Sequence, residues 1–209
     1  MKKASLIFST AFITLIIVVS CGKGGTNKDE NDKQEWMSEN LDIVTFRNGD
    51  TIFHAKTDED WKAARRSQTP SWCFYENDSV NGLKYGRLYN WYAVSDPRNL
   101  APEGWKIPSV EDWFTLIESL GEINFAANNL RSTSWGGLTN KETNKTGFSG
   151  MPGGGRNGLG EFYDINEVGI WWTSSTEGVA SWSIILHSEG IIKRMADNSY
   201  GFSVRCIKD

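Results

Sequence analysis

The sequence predicts an α+β domain with a mostly antiparallel sheet. Two observations carry the prediction. Helix-spaced apolar residues with capping signals are confined to the earlier part of the chain, and from Gly147 onward the signals are those of short strands and turns. A third observation, 10 tryptophans and 10 phenylalanines among 209 residues, supplies the large apolar groups one core needs, so a single folded domain over residues 35–209 is the economical reading.

The domain opens at Glu35-Trp36-Met37. Leu41, Ile43, Val44 and Phe46 continue it as an extended segment, closed by the turn pair Asn48-Gly49. Thr57 or Asp58 caps a short helix bearing Trp61 and Ala64, with basic residues at its end, where the helix dipole favours them. Ser71–Tyr75 reads as a strand. Leu88, Trp91 and Tyr92 have the three-to-four spacing of a helix face, which predicts a short helix over 85–92. Ser109 caps a clearer helix, with Asp112 completing a capping box, Trp113, Leu116, Ile117 and Leu120 on one side, and Gly121 as the stop. Asn124–Arg131 fits either a helical turn or an irregular crossing. Trp182–His187 and Ile191–Met195 flank the turn Ser188-Glu189-Gly190 as a hairpin, and Phe202–Ile207 is the last strand.

Residues 1–20 read as an export signal. Lys2 and Lys3 precede the apolar run Leu6–Val19, whose 14 residues fall short of the roughly 20 that a membrane-spanning helix needs. Val18-Val19-Ser20-Cys21 resembles the lipobox of bacterial lipoproteins, so Cys21 is the expected lipidation site and its lipid, palmitate included, the expected membrane attachment. An ordinary secreted protein with Cys21 as a free thiol is the alternative. Residues 21–34 carry no large apolar group and read as a tether. Within it, Asp29-Glu30 resembles the acidic surface-export signals of Bacteroidetes lipoproteins, although these acids lie later than is usual. The expected location is the bacterial cell envelope at the outer membrane, facing either the periplasm or the outside. After the signal is removed, 20 basic residues face 26 acidic ones, a balance that argues against nucleic acid. Cys73 and Cys206 lie in strand-like runs and could pair in an oxidising compartment or stay as buried thiols; spacing leaves both open.

Seven ordered motifs resemble one family. They are Trp36-Met37-Ser38-Glu39-Asn40-Leu41, Tyr85-Gly86-Arg87-Leu88-Tyr89-Asn90-Trp91, Gly104-Trp105-Lys106-Ile107-Pro108-Ser109 with Trp113, Gly147-Phe148-Ser149, Gly154-Gly155-Arg156, Trp171-Trp172-Thr173-Ser174-Ser175 and Gly201-Phe202-Ser203-Val204-Arg205-Cys206. Together they look like the Fibrobacter succinogenes major paralogous domain over nearly all of 35–209. The layout is similar to the formylglycine-generating-enzyme and C-type-lectin-like superfamily. That resemblance implies two main helices and a curled, mostly antiparallel sheet whose first and last strands meet, in an envelope protein that is often lipidated. Lys106 stands where the family often has histidine, so no role of that histidine transfers.

The chemistry points away from catalysis. Formylglycine-type oxidation needs copper-binding redox cysteines, and only Cys73 and Cys206 keep an unmodified thiol. Asp164, Asn166 and Glu167 with Glu177 form the best oxygen-rich cluster for calcium, but without the proline motif of lectins they read better as polar turn residues. The run Met151–Arg156 lacks the Gly-Lys-Ser or Gly-Lys-Thr of a phosphate loop; its glycines fit close packing, and Arg156 fits bonds to carbonyls or a carboxylate. His54 and His187 show no triad spacing. No metal or other cofactor is therefore expected. Most tryptophans belong to the core, with Trp61, Trp72, Trp135 and Trp182 less constrained. Trp171 and Trp172 alternate across a strand, so one should enter the core and the other face the opposite side. That outward ring, with Asp164, Asn166 and Glu177 near it in sequence, is the expected ligand site. The expectation is a lipid-anchored, non-enzymatic envelope module that binds a protein or polysaccharide. An enzyme on the same fold and a structural, fimbria-associated component are the alternatives.

Overall fold

The two ends of the domain meet. In the computed structural model, which describes residues 34–133, 135, 144 and 146–209, the segment from Glu35 runs against the C-terminal strand. Met37 N donates to Cys206 O at 3.0 Å, Leu41 N to Val204 O at 2.8 Å, and Lys208 N to Glu35 O at 2.9 Å. Gln34–Asp209 forms one compact unit. The segments expected to be an export signal and a tether, with Cys21 between them, lie outside the described residues through Lys33.

In chain order the strands are β1 (Phe53–His54), β2 (Ser71–Cys73), β3 (Leu88–Asn90), β4 (Trp105–Lys106), β5 (Gly153–Arg156), β6 (Phe162–Ile165), β7 (Gly169–Glu177), β8 (Ala180–His187), β9 (Gly190–Ala196), β10 (Gly201–Phe202) and β11 (Ile207–Lys208). Nine of them form one sheet in the order β1-β2-β3-β10-β5-β7-β8-β9, with β6 paired to β5 off that path. β4 and β11 form a separate antiparallel pair. Among the described strand pairs only β1–β2 and β5–β7 are parallel, beside the isolated parallel bridges Arg131–Gly150 and Trp171–Ser203. The α+β class and the mostly antiparallel sheet are as expected. The sheet is open rather than curled, however, and five α-helices accompany it among the described residues rather than two: α1 (Asp58–Ser67), α2 (Ser79–Tyr85), α3 (Trp91–Val94), α4 (Val110–Ser119) and α5 (Ile123–Leu130).

The strongest local signals form as read. Of the two expected caps Thr57 is the one that caps α1, where Asp60 completes a reciprocal box that was not expected, and Ser109 and Asp112 make the expected box on α4. The ambiguous segment is helix α5. The helix expected over 85–92 does not form. Gly86, at φ 77°, ends α2, Leu88–Asn90 join the sheet as a fully buried strand, and the Asn90 side chain then caps α3 by accepting from Ala93 N. Leu88 and Trp91 share a helical spacing without sharing a helix. The expected last strand is divided: Gly201–Phe202 pair in the large sheet and Ile207–Lys208 in the small one, while Ser203 O accepts from Trp172 N.

Both faces of the sheet are covered around β7. On one face Trp171, Ile184 and Leu186 pack with Trp113, Leu116 and Ile117 of α4 and Ala126, Ala127 and Leu130 of α5. On the other, Ile170, Trp172 and Phe202 pack with Tyr89, Leu41, Leu100 and Val204. A smaller cluster of Trp61, Ala55, Cys73, Tyr75 and Leu88 lies under α1.

Buried arginines tie separate motifs together. Asn40 Oδ1 accepts from Arg205 Nη2 at 2.7 Å, Arg205 Nε at 3.1 Å and Trp171 Nε1 at 2.8 Å. Arg205 also donates to Met37 O and Phe148 O. Burial lowers the pKa of its guanidinium, and among the described residues no carboxylate bonds to it, so four carbonyl-type bonds offset the loss of water. Arg156 donates to Gly160 O, Thr57 O and Asn77 Oδ1 and pairs with Asp58 Oδ1 at 2.6 Å, beneath the rings of Trp61 and Phe162. That is the role its position beside the glycines predicts.

Candidate functional site

A groove of about 600 Å³ opens on one face of the β8–β9 hairpin, within the range of small-ligand sites. It follows from strand alternation and register. Ser183 pairs with Arg194 and Ile185 with Ile192, so these four side chains and their next-but-one neighbours project to the same side. β6 brings Tyr163 and Asp164 to one wall, Ile170 and Phe202 form the floor, and the turn after β9 contributes Asp197 and Tyr200. On the opposite face of the same hairpin Ile184, Leu186 and Ile191 pack against α4 and α5, which leaves this face as the one without a helix over it.

The glycine strand β5 shapes the groove from below. A Cβ on Gly155 would stand 2.9 Å from Phe202 Cε1 and 3.0 Å from the Tyr163 hydroxyl, so glycine lets both rings cross β5. Gly154, at φ 60°, lies against the backbone of Tyr163–Ile165, where a Cβ would meet Tyr163 O at 2.3 Å. Tyr200 meets Phe202 edge-on at 6.0 Å.

The polar groups in the groove have unused capacity. The Arg194 guanidinium and the hydroxyls of Tyr163 and Tyr200 make no hydrogen bond or ion pair to other described residues, and Arg194 is exposed. Burial pushes the Tyr163 phenol well above its ordinary value, and the nearby Tyr200 and Asp164 add to this, so it stays a neutral donor. Burial would raise the Asp197 carboxyl too, but hydrogen bonds from the Ser199 hydroxyl and amide hold it below the usual carboxylate range and keep it ionised.

The sequence-derived ligand residues divide. Asp164 lines the groove. Asn166 is exposed, but its Oδ1 accepts from the Tyr85 hydroxyl at 2.7 Å, and both it and Asp164 have left-handed backbones (φ 65° and 60°) in a turn where Val168 N bonds back to Asp164 O. The polar-turn reading fits them. Glu177 ends β7, eight residues from Gly169, which pairs beside that turn. At ~3.3 Å per residue this separates it by roughly 25 Å, so the three oxygen side chains do not converge. The expectation of an outward tryptophan fails. Trp171 and Trp172 do enter opposite faces, but both faces are core there and each ring is 0% exposed, with Nε1 donating to Asn40 Oδ1 and Tyr89 O. Of the four less constrained tryptophans, Trp61, Trp72 and Trp135 are buried as well. Trp182 keeps a partly exposed ring, beneath Lys193 Nζ at 4.1 Å.

The bridge between Cys73 and Cys206 is not formed; both are free, buried thiols. Cys73 faces the cluster under α1, whereas its neighbour Trp72 and Cys206 face the other core, so strand alternation turns the two sulfurs apart. Burial pushes Cys73 up to about 11 and Cys206 up to about 12, opposed by Arg156 and Arg205 respectively, and both stay protonated at neutral pH. His54 stacks on Trp72 at 3.6 Å, and burial lowers its pKa. His187 Nδ1 accepts from Glu189 N.

The groove residues Arg194, Tyr200 and Tyr163 were not found from sequence. The available signal was the predicted hairpin itself: its register places alternate residues of Ile191–Met195 on one face, and Ile192 and Arg194 fall on the side that no helix covers.

The fold and the groove define an α+β domain, closed by its own ends, that presents one uncovered sheet face. The family model of the Fibrobacter succinogenes major domain matches residues 31–208, and the chain belongs to this family. No curated protein and no solved structure matches it.

Proposed function

We propose that this protein is a lipid-anchored, non-enzymatic module of the bacterial cell envelope that binds a protein or polysaccharide in the β8–β9 groove. One observation carries the reading: Arg156 and Arg205 are fully engaged inside the domain, whereas Arg194, Tyr163 and Tyr200 hold free donors around an apolar floor. A concave, mostly apolar site with a few convergent polar groups is what a ligand pocket requires. Lipid on Cys21 would hold the module at the outer membrane, with the residues after it as tether. The finer fold reading, a relative of the formylglycine-generating-enzyme and C-type-lectin-like folds, is supported by the meeting of the first and last segments and by the tandem tryptophans at the centre of the sheet.

Two measurements test this. Cys21→Ser should move the full chain from the membrane fraction to the soluble fraction; unchanged retention removes the anchor. Arg194→Ala should weaken binding of the full chain to a detergent-solubilised envelope extract, and equal binding by wild type and variant removes the groove.

A further inference from the structure

Resting on the groove as the binding site, we infer that its ligand is a neutral glycan, hydrogen-bonded by Arg194, Tyr163 and Asp164 and stacked on the Tyr200 ring.

Charge excludes the simpler alternatives. One lining guanidinium, Arg194, and two carboxylates, Asp164 and Asp197, border the groove together with the His187 imidazole, and Arg65 lies outside the lining within electrostatic reach of Asp197, in a chain of net charge −4. A polyanion such as a uronate chain or a phosphodiester would gain one partner and meet two like charges. A strongly basic segment would meet Arg194 beside the only acids available to it. A sugar hydroxyl donates and accepts at once, and the groove offers both functions: donors on Arg194 and the two tyrosine hydroxyls, an acceptor on Asp164.

Shape agrees with charge. The floor is apolar at Ile170 and Ile185, which suits the C–H face of a pyranose, and Tyr200 supplies a half-buried aromatic face. The recess is lined by side chains on the face of the β8–β9 hairpin, whereas the free backbone ladder of this part of the sheet runs along the outer edge of β9, the terminal strand. An extended peptide gains much of its affinity from such a ladder at a strand edge.

The test uses the full chain in detergent, with Arg194→Ala and Tyr200→Ala beside the wild type and urea midpoints recorded for each. The probes are an envelope extract, untreated, protease-digested or periodate-oxidised, and the neutral and acidic polysaccharide fractions of that extract separated on an anion exchanger. The expected result is saturable binding of the neutral fraction, insensitive to protease and abolished by periodate. Each variant should bind about tenfold more weakly or worse, the scale of one lost charge-assisted hydrogen bond or stacking contact. Failure of the neutral fraction to bind overturns the inference. If that failure comes with protease-sensitive or acidic-fraction binding that Arg194→Ala still weakens, the groove stands and only the ligand class falls. If both folded variants bind the untreated extract as wild type does, the groove reading itself falls.

Discussion

Two parts of one sheet differ in what their residues have left to offer. The stretch Gly147–Ser175 holds the densest motifs, yet its tryptophans are fully buried, its arginine is saturated with partners and its glycines give way to neighbouring rings. The β8–β9 hairpin has no memorable motif, but one of its faces lies uncovered, with Ile192 48% exposed and the Arg194 guanidinium without a hydrogen bond or ion pair among the described residues. Motif density here follows the demands of packing: residue types are most tightly specified where a buried donor needs one acceptor and a ring needs one gap. A surface for a ligand requires the reverse, polar groups whose partners are absent from the chain.

The contrast can be broken most forcefully from the sealed side. Trp171→Ala should cost about 3–5 kcal/mol, the range for removing a large buried ring, and should leave Asn40 Oδ1 one donor short. Urea denaturation checks it; a loss below about 1 kcal/mol would show that the ring is not core. Asn40→Ala should cost about 1–3 kcal/mol or more, because it strands donors on both Arg205 and Trp171.

Gly155→Ala joins the two regions. Its methyl would press on Phe202 and Tyr163 at about contact-breaking distance, costing roughly 1–3 kcal/mol and also displacing the ring that walls the groove. Stability and envelope binding should therefore fall together, whereas a loss confined to stability would separate the glycine strand from the site.

Alkaline pH sharpens the picture of the sealed interior. Burial raises the folded pKa of Cys73 to about 11 from an ordinary 9.0. The unfolded chain then gives up this proton first, so the contribution is complete below pH 9 and is lost as pH rises through 11. Cys73→Ala should flatten part of the fall in the urea midpoint between pH 9 and 11, and Cys206 with the buried phenols of Tyr89 and Tyr163, whose pKa values burial also raises, should sustain the remainder. Identical pH profiles for wild type and variant would place Cys73 in contact with water. The smallest effect belongs to the open side: Arg194→Ala should change stability by no more than about 0.5 kcal/mol.

Much of this architecture was legible in the sequence, for identifiable reasons. A cap at Thr57 or Asp58 and the box of Ser109 with Asp112 are local signals, and the hairpin turn Ser188–Gly190 is local as well. Leu88–Asn90 misled because a three-residue strand between two short helices carries a helix-like spacing, and only pairing with β2 and β10 makes it a strand. Trp171–Trp172 misled differently. The alternation was correct, but the number of layers over the sheet depends on where α4, α5 and the N-terminal segment pack, which no local pattern records. Arg194 was invisible for the same reason, since an unpaired arginine is defined by the partners that the fold does not bring to it.

The most direct test is envelope binding and urea midpoint measured together on the full chain carrying Arg194→Ala and Ile192→Ser, two exposed positions on the open face of the hairpin. The account predicts a midpoint close to wild type with binding reduced about tenfold or more. A midpoint close to wild type with binding intact would contradict it.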